Sequence, residues 1–343
     1  MDSPPHDNHT DFEVHPQVLV DRDGEVLVCI VKATFELPPM SSSLELAGED
    51  DQRMIRMADV PWGEPEKSSI LFPSDLCVRK PGTDVVVVAE AHAPNGVPVP
   101  VFDCGIRIGY LEKYVRCFGL RVWEANGSGI TPPSAPIDRV EIRYDNAWGG
   151  FDDSDPENLV EEARNPVGMG CVRDLSQLTH QPAPILEDPN HPLSSVRTRP
   201  PPASLGAVGR HWEPRRSYLG TYDDAWFENR APLPPKDQSD RMNVCASPGL
   251  WSEQPLLGGE EVALLNLIPG GGALRFFLPQ ASVELEFRVK GRDPVIVRPH
   301  LDTIIVDTLI LEPEERPAVE LVWRASVKAP RRLKDSRIII REG

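Results

Sequence analysis

The stretch SVELEFRVK, residues 282–290, decides the fold class. It contains four apolar and four charged side chains in strict alternation: Val283, Leu285, Phe287 and Val289 against Glu284, Glu286, Arg288 and Lys290. Alternation with a period of two is typical of a β-strand that buries one face and exposes the other. Strands with one solvent-exposed face are typical of antiparallel sheets, so this stretch predicts antiparallel β-structure.

Similar segments occur along most of the chain. Beyond residue 260 they include EVALLNLIP, ALRFFLP, HLDTIIVDTLILEP and AVELVWRASVK. In the first half they include VLVCIVKATFEL at 26–37, TDVVVVAEAH at 83–92, and the segments 102–124 and 140–144. The four consecutive valines of TDVVVVAEAH need apolar cover on both faces of their sheet.

These segments predict a mainly β protein with very little helix. Its antiparallel sheets are expected to form two sandwich- or meander-like lobes, joined by a long ordered loop region rich in proline and aromatic residues. The predicted parts are a disordered tail at 1–14, an N-terminal β lobe at 15–150, a connecting region at 151–259 and a C-terminal β lobe at 260–343. One short helix is expected in the connecting region, at PENLVEEAR, residues 156–164.

Composition narrows the class of protein. The 343 residues are 40% hydrophobic and 26% charged, which is typical of a soluble globular protein. The 36 Lys and Arg against 53 Asp and Glu give a net charge of −17. This charge argues against general binding to nucleic acid or anionic membrane, and it suits a basic partner or simply solubility. The sequence shows no signal peptide, no bilayer-spanning apolar run and no C-x-x-C pair, so we expect a cytoplasmic protein.

The segment WEPRRSYLGTYDDAWFENRAPLPPKDQSDRMN, residues 212–243, is unusually rich in aromatic residues. It has no helical or strand period, yet disordered chain is poor in aromatics, so it is predicted to be an ordered loop that clamps the two lobes together. The sequence leaves open whether its tryptophans are core or contact surface. The candidate partner-binding residues are Trp212, Tyr218, Tyr222, Asp223, Asp224, Trp226 and Arg230.

The adjacent pair Asp223 and Asp224 has two interpretations. One is a metal or acid–base site. The favoured one is structural: charge-assisted hydrogen bonds that hold the loop, made with Arg215, Arg216 and Arg230. Two other acids, Asp302 and Asp307, are predicted at a strand edge.

Motifs for catalysis are missing from the sequence. It contains no G-x-S-x-G, no phosphate-binding G-x-x-x-x-G-K-[ST] and no H-E-x-x-H. The prediction is therefore a binding protein with no catalytic residues, no metal and no cofactor. The alternative is a carbohydrate-active hydrolase on a β-sandwich, in which Asp223, Asp224 and Glu228 would flank a sugar beside Tyr222 and Trp226.

Several segments together resemble a known bacterial family. They are GTDVVVVAEAHAPNG at 82–96, GLRVWE at 119–124, IRYDNAWGG at 142–150, NPVGMG at 165–170, WEPRRSYLGTYDDAWFENRAPLPPKD at 212–237 and GGEEVALLNLIPGGGALRFFLP at 258–279. Their order and content resemble the family called domain of unknown function 2169, over about residues 18–311. The GTYDDAW core and NPVGMG are the specific parts of this resemblance.

The resemblance implies an adaptor and not an enzyme. Members of that family are encoded with type VI secretion genes and are regarded as cytoplasmic adaptors or chaperones. They load toxic effectors onto the secretion spike through its tip protein. The expected partners are therefore a secreted toxin effector, a spike-tip protein, or both, with no nucleic acid and no membrane. A further alternative is a structural component of the spike or baseplate.

Overall fold

The structure, a computed structural model, describes residues 4–37, 43–311 and 316–343. It confirms the predicted mainly β fold. The described strands β1 to β24 span, in chain order, His6–Asn8, Glu13–Asp21, Gly24–Glu36, Glu45–Leu46, Val60–Pro61, Ile70–Phe72, Thr83–Val88, Glu90–His92, Val101–Ile108, Leu111–Phe118, Arg139–Glu141, Trp148–Gly149, Phe151–Asp152, Val160–Glu161, Met169–Gly170, Leu186–Glu187, Trp251–Ser252, Glu261–Leu265, Ala273–Phe277, Val283–Val289, Val295–Val297, Leu301–Asp307, Ala318–Lys328 and Ser336–Glu342.

Helical structure in the described residues is sparse. The α-helix α1 spans Asp224–Asn229. The 3-10 helices span Glu49–Asp51, Pro94–Gly96, Ala125–Gly127, Tyr144–Asn146, Leu175–Leu178, Arg216–Tyr218, Asp240–Asn243 and Leu333–Asp335. Within the described ranges, no helix has the length and apolar character needed to cross a membrane.

The largest sheet has seven strands, in the order β17–β7–β22–β23–β3–β2, with β4 also beside β3. Strand β7 runs parallel to β22, and the other neighbours are antiparallel. The longest of these pairings joins β3 to β23 and places Val26 opposite Lys328. Strands from both ends of the chain therefore lie side by side in one sheet.

Two further sheets pack with the first around a common core. A five-stranded sheet has the order β16–β10–β9–β18–β19, and a four-stranded sheet has the order β1–β24–β20–β21. One cluster of buried apolar residues contains Val31 of β3, Ile106 of β9 and Phe287 of β20. This shared core is what holds the three sheets together, because burial of apolar surface is the main favourable term in folding.

Strand β7, TDVVVV, is buried along its whole length. Val85 and Val87 belong to the shared core, whereas Val86 and Val88 pack on the opposite face in a smaller cluster with Leu71. The expectation that the four valines need cover on both faces is confirmed.

The division into lobes differs from the one expected from sequence. Strands of the predicted N-terminal lobe, 15–150, pair directly with strands of the predicted C-terminal lobe, 260–343: β9 with β18, and β3 with β23. Periodicity identifies a segment as a strand but carries no information about its partner. The two parts of the sequence therefore build shared sheets.

The N-terminal segment also differs from the disordered tail expected at 1–14. His6–Asn8 form β1, which pairs in parallel with β24. Phe12 is buried and stacks on Trp323, with ring centroids 6.0 Å apart. Residues 1–3 of that tail lie outside the described residues. The backbone bonds to β24 and the Phe12 contact are tertiary interactions, which the polar composition of the tail did not indicate.

The helix predicted at 156–164 does not form. Val160 and Glu161 form β14 instead, antiparallel to β13. Glu161 also accepts a hydrogen bond from Arg216 at 3.2 Å. Helices of this length are marginal without tertiary packing, so local contacts with β13 and Arg216 prevail over propensity. The α-helix of the connecting region is α1, inside the segment predicted as loop.

A buried ionic network lies on the second face of the largest sheet. Lys32 and Glu320 have no exposed surface, and their side chains lie 3.2 Å apart. Lys32 also contacts Asp75, and Arg56 donates two hydrogen bonds of 2.6 Å to Glu320. Arg53 links Glu320 to a further carboxylate. Burial would raise the pKa of Glu320, but Lys32 and Arg56 outweigh it and hold that pKa far below its ordinary value.

Asp302 and Asp307 are part of this interior and do not lie at a strand edge as predicted. Both are almost fully buried in β22, which is an inner strand of the largest sheet. Asp302 pairs with Arg324 at 3.1 Å, and Asp307 pairs with Arg53 at 2.6 Å. Both acids stand among apolar residues in the sequence. The sequence does not show that they form ion pairs with arginines far away in the chain.

Removing the Glu320 carboxylate at the centre of this network should strongly destabilise the protein. Glu320→Gln leaves the largely buried Arg56 without its paired carboxylate and leaves Lys32 with Asp75 alone, so we expect the free energy of unfolding to fall by about 3–5 kcal/mol. The matched control is Arg298→Gln, which breaks an exposed pair with Glu284 (2.6 Å) and should cost less than about 1 kcal/mol. Urea unfolding measures both, and equal small losses would contradict the role of the network.

Asp307 gives a pH-dependent prediction. Burial, opposed by Arg53, raises its pKa from 3.8 to about 6. The folded state then binds this proton more tightly than the unfolded state, so the stability contributed by this carboxyl is present below about pH 4 and declines as pH rises to about 6. Asp307→Asn cannot titrate. Wild type should lose about 1–3 kcal/mol of unfolding free energy as pH rises from 4.5 to 7, and the variant should not. The stability of the variant minus that of wild type should therefore increase by this amount over the same range. An identical difference at both pH values would refute this.

Candidate partner-binding surface

The base of the 212–243 segment is anchored in the protein. Trp212 is 7% exposed and packs edge-on against Tyr144, with ring centroids 5.5 Å apart. Arg215 is also buried and donates hydrogen bonds to the carbonyl oxygens of Met242 at 2.9 Å and Val208 at 2.7 Å. Tyr218 is half-buried, and the Arg241 guanidinium lies 6.0 Å from its ring centre. These contacts fix the point from which the chain leaves the body.

Residues 220–238 then form a protruding segment that is closed at its base. The Thr221 amide donates to both carboxylate oxygens of Asp237 at 3.1 Å, and the Thr221 hydroxyl donates to one of them at 2.7 Å. These hydrogen bonds favour the ionised carboxylate and lower the pKa of Asp237. The protruding segment therefore begins and ends at one locked position.

Helix α1 lies inside the protruding segment. Asp223 caps it, because its carboxylate accepts a 2.8 Å hydrogen bond from the Trp226 amide. Past the helix, the indole of Trp226 donates to the Leu233 carbonyl at 2.9 Å, and Arg230 donates to the Pro234 carbonyl at 2.5 Å. The helix and the chain that follows it thus form one packed unit.

The protruding segment is tied to the turn between β2 and β3. Arg230 donates to the Arg22 carbonyl, and Arg22 in turn donates to the Gln238 carbonyl at 2.9 Å. The Arg22 guanidinium also lies 3.4 Å from a carboxylate oxygen of Asp240. The segment contacts the end of the largest sheet through this turn, so it is supported from outside as well as from its base.

The predicted pairing of Asp223 and Asp224 with arginines does not occur. Asp223 caps α1, and Asp224 is exposed in the first turn of that helix. Arg216 pairs with Glu161 and Glu213 instead, at 3.2 and 3.6 Å. A carboxylate at the start of a helix is stabilised by the free amides there, and this local interaction explains the acidic pair without any arginine.

Three aromatic side chains form a continuous exposed surface, here called the aromatic surface: Tyr222, Trp226 and Phe227. The exposed fractions are 54% for Tyr222 and 72% for Phe227, and Trp226 is half-buried. Ring centroids are 4.6 Å apart for Tyr222 and Trp226, and 6.5 Å apart for Trp226 and Phe227. Soluble proteins seldom leave clustered aromatic side chains in water, so such patches mark sites of interaction.

Acidic side chains surround the aromatic surface. Asp223, Asp224 and Glu228 are exposed beside it and form none of the ion pairs found among the described residues. A large apolar contact with a negative rim is complementary to a partner that carries basic residues around an apolar anchor.

The structure brings five of the seven predicted residues into one place: Tyr222, Asp223, Asp224, Trp226 and Arg230 all lie in the protruding segment. Trp212 and Tyr218 lie at its base. Sequence reasoning missed Phe227, the most exposed aromatic of the group. The signal was present in DDAWFEN, where an acidic cap precedes two adjacent aromatics, because neighbouring residues on a short helix cannot both face the body.

Two cavities adjoin the base of the segment. One, of about 620 Å³, has Trp212 and Met57 in its wall. The other, of about 690 Å³, is lined by Tyr144 and Lys113. No sequence pattern indicates this second cavity, since its residues are widely separated along the chain. Among the described residues, no three His, Cys, Asp or Glu side chains are grouped closely enough to hold a metal ion.

Fold and surface together define a mainly β protein that presents aromatic side chains on a tied, protruding segment. The chain belongs to the bacterial family described as "Uncharacterized protein conserved in bacteria (DUF2169)", whose family model matches residues 22–324. No curated protein and no solved structure matches the chain.

The two tryptophans of residues 212–243, Trp212 and Trp226, should respond differently to truncation. Trp212→Ala removes a buried ring and should lower the free energy of unfolding by about 3–5 kcal/mol. Trp226→Ala should leave global stability within about 1 kcal/mol of wild type, and it should increase hydrogen exchange within residues 220–238, because only the protruding segment depends on it. Urea unfolding and hydrogen exchange measure the two effects, and a large global loss for Trp226→Ala would place it in the core.

Proposed function

We propose that this protein is a cytoplasmic adaptor or chaperone that binds a toxic effector and loads it onto the tip of a type VI secretion spike. The interaction is non-catalytic protein–protein binding. Membership of the family supports the proposal, together with the adaptor role that its resemblance implies. The observation that carries it is the aromatic surface, which offers a ready anchor for another protein.

The chemistry of the aromatic surface suits a protein partner. Tyr and Trp supply most of the energy in many interfaces, because large rings bury much area with few rotatable bonds. Tyr222 and Phe227 are exposed and adjacent to the half-buried Trp226, so a partner side chain can cover all three rings. The acidic residues around them favour a partner with basic side chains.

The support beneath the aromatic surface favours tight binding. The Thr221–Asp237 lock, the Asp223 cap and the Arg230 tie to Arg22 hold the rings in place before any partner arrives. A surface ordered in advance loses less conformational entropy on binding, and this raises affinity without new contacts.

Open sheet edges offer a second mode of contact. Strands β19 and β21 lie at the edges of their sheets, and Phe277 and Ile296 in them are 58% and 60% exposed. An extended effector segment can add to such an edge through backbone hydrogen bonds. The short length of both strands limits this contact to a few residues, so the aromatic surface remains the main proposed anchor.

The hydrolase alternative receives no support from the geometry. Asp223, Asp224 and Glu228 are exposed on or beside α1, and none of them lines either of the two cavities described above. Asp223 is also engaged as a helix cap. Paired catalytic carboxylates face each other across a bound sugar, which these side chains do not do.

Binding through the aromatic surface has a direct test. A candidate toxin effector from a neighbouring gene is co-expressed with the wild-type protein or with Tyr222→Ala/Phe227→Ala, and the complex is purified. We expect the double variant to weaken binding at least about 100-fold at an unchanged melting temperature, since hot-spot aromatics contribute at least about 2 kcal/mol each.

The control is Phe151→Ala, an exposed phenylalanine (49%) outside the aromatic surface, which should bind as wild type. Equal binding by the double variant would move the contact elsewhere. The adaptor function itself fails if the toxin folds and is secreted normally when the gene is deleted. Recovery of this protein in purified secreted spikes would favour the structural-component alternative.

A further inference from the structure

The 690 Å³ cavity is a second candidate binding site, separate from the aromatic surface. It lies where hairpin β9–β10 meets the chain around residues 189–190, 201–214 and 248–249. Its walls combine charged and polar side chains with five prolines: Pro189, Pro201, Pro202, Pro214 and Pro248. Tyr114 and Tyr144 add aromatic surface. Volume and lining are those of sites that bind small molecules or short peptide segments.

Lys113 places an amino group in this cavity. Its Nζ donates to the Ser247 hydroxyl at 2.5 Å and to the Pro248 carbonyl at 2.8 Å. Both acceptors are neutral, and no carboxylate among the described residues lies within 4.0 Å of it. A lysine ammonium has three donors, so one N–H remains for a ligand.

Ser247 positions Lys113 and is not itself a nucleophile. It has no exposed surface, and its hydroxyl donates to the Ser204 carbonyl at 2.8 Å. A serine oxygen has one hydrogen and two lone pairs. The lone pairs accept from Lys113 and from the Tyr144 hydroxyl, which lies 2.8 Å away. Every bonding position of the oxygen is used, and a substrate cannot reach it.

Three of the four acids that line the cavity, all but the exposed Glu112, are engaged with their own partners. Asp103 accepts two hydrogen bonds from Arg116, at 2.7 and 2.9 Å. Asp188 accepts from the Asn190 amide and from His191. Glu213 accepts from the Ser217 hydroxyl at 2.6 Å. The Lys113 ammonium, in contrast, forms hydrogen bonds only with the neutral oxygens of Ser247 and Pro248.

We infer that this cavity binds a carboxylate attached to an apolar body, with Lys113 as the ligand of the carboxylate. The proline and tyrosine walls receive the apolar part, and the third N–H of Lys113 donates to the anion. Two kinds of ligand carry such a carboxylate: a peptide segment with a free C-terminus and a small organic acid. This site goes beyond the adaptor function proposed above, which concerns the aromatic surface.

The protonation of Lys113 supports the same assignment. Burial lowers its pKa to about 8, and Asp188 only partly opposes this. A bound carboxylate would restore the missing counter-charge, so affinity should be highest between about pH 5 and 8, where the ligand is ionised and Lys113 is protonated, and fall as pH rises above 8. The other titratable or charged groups lining the cavity are Asp103, Glu112, Tyr114, Tyr144, Arg164, Asp188 and Glu213.

Two matched pairs of probes test the inference by calorimetry at pH 7. The first pair is N-acetyl-Pro-Pro-Leu with a free carboxylate and the same peptide as its C-terminal amide. The second is 3-phenylpropionate and 3-phenylpropionamide. In at least one pair the acid should bind about tenfold or more tightly than the amide, because a hydrogen bond to a charged group discriminates by that amount. The pair that responds identifies the source.

Lys113→Met keeps most of the side-chain volume and should abolish the preference for the acid, with the melting temperature measured in parallel to verify folding. Lys236→Met, at an exposed lysine outside the cavity, should retain the preference. At pH 9 the wild-type preference should fall several-fold. Absence of binding by both acids, equal binding of acid and amide, or an unchanged preference in Lys113→Met would each overturn the inference.

Discussion

The structure depends on the antiparallel pairing of β3 with β23, which brings residues 26–36 against 318–328. Closing so long a loop costs conformational entropy, although the cost grows only slowly with length. Burial offsets it on one face, where Val31 and Leu321 join the shared core. On the other face, Lys32 and Glu320 lie together out of water, so this region tolerates neither a shift in register nor the loss of one partner. The segments that carry the aromatic surface and the Lys113 cavity are inserted between these two strands.

Local features of this fold could be predicted from the sequence, and long-range ones could not. TDVVVV predicts a strand covered on both faces because four apolar β-branched residues in succession leave no polar face, and the structure agrees. Nothing local in β3 indicates that its partner is β23, nor that Arg53 would reach Asp307. PENLVEEAR has good helix propensity, but contacts with β13 decide its conformation. Propensity is a weak prior, and tertiary contacts override it.

The candidate site shows the same limit. The aromatic content of residues 212–243 predicts order, but aromatic residues occur in cores and in interfaces alike. Burial separates them: Trp212 packs against Tyr144, whereas Phe227 remains exposed on the helix capped by Asp223. The Lys113 cavity lay beyond prediction, because its lysine, tyrosine and serine come from positions 113, 144 and 247 and carry no motif.

The aromatic surface and the cavity are linked by continuous contacts, and this raises the question of coupling. The Tyr144 hydroxyl bonds to Ser247, which holds Lys113, and the Tyr144 ring packs against Trp212 at the base of the protruding segment. Contact alone is not coupling, which requires an element with two arrangements that both ligands bias. The described contacts hold that segment in one arrangement, because Arg215 is bonded at its base and Arg230 is tied to the β2–β3 turn. We therefore expect the two proposed sites to be occupied independently, so that a partner bound to the aromatic surface would leave the cavity free for its own ligand.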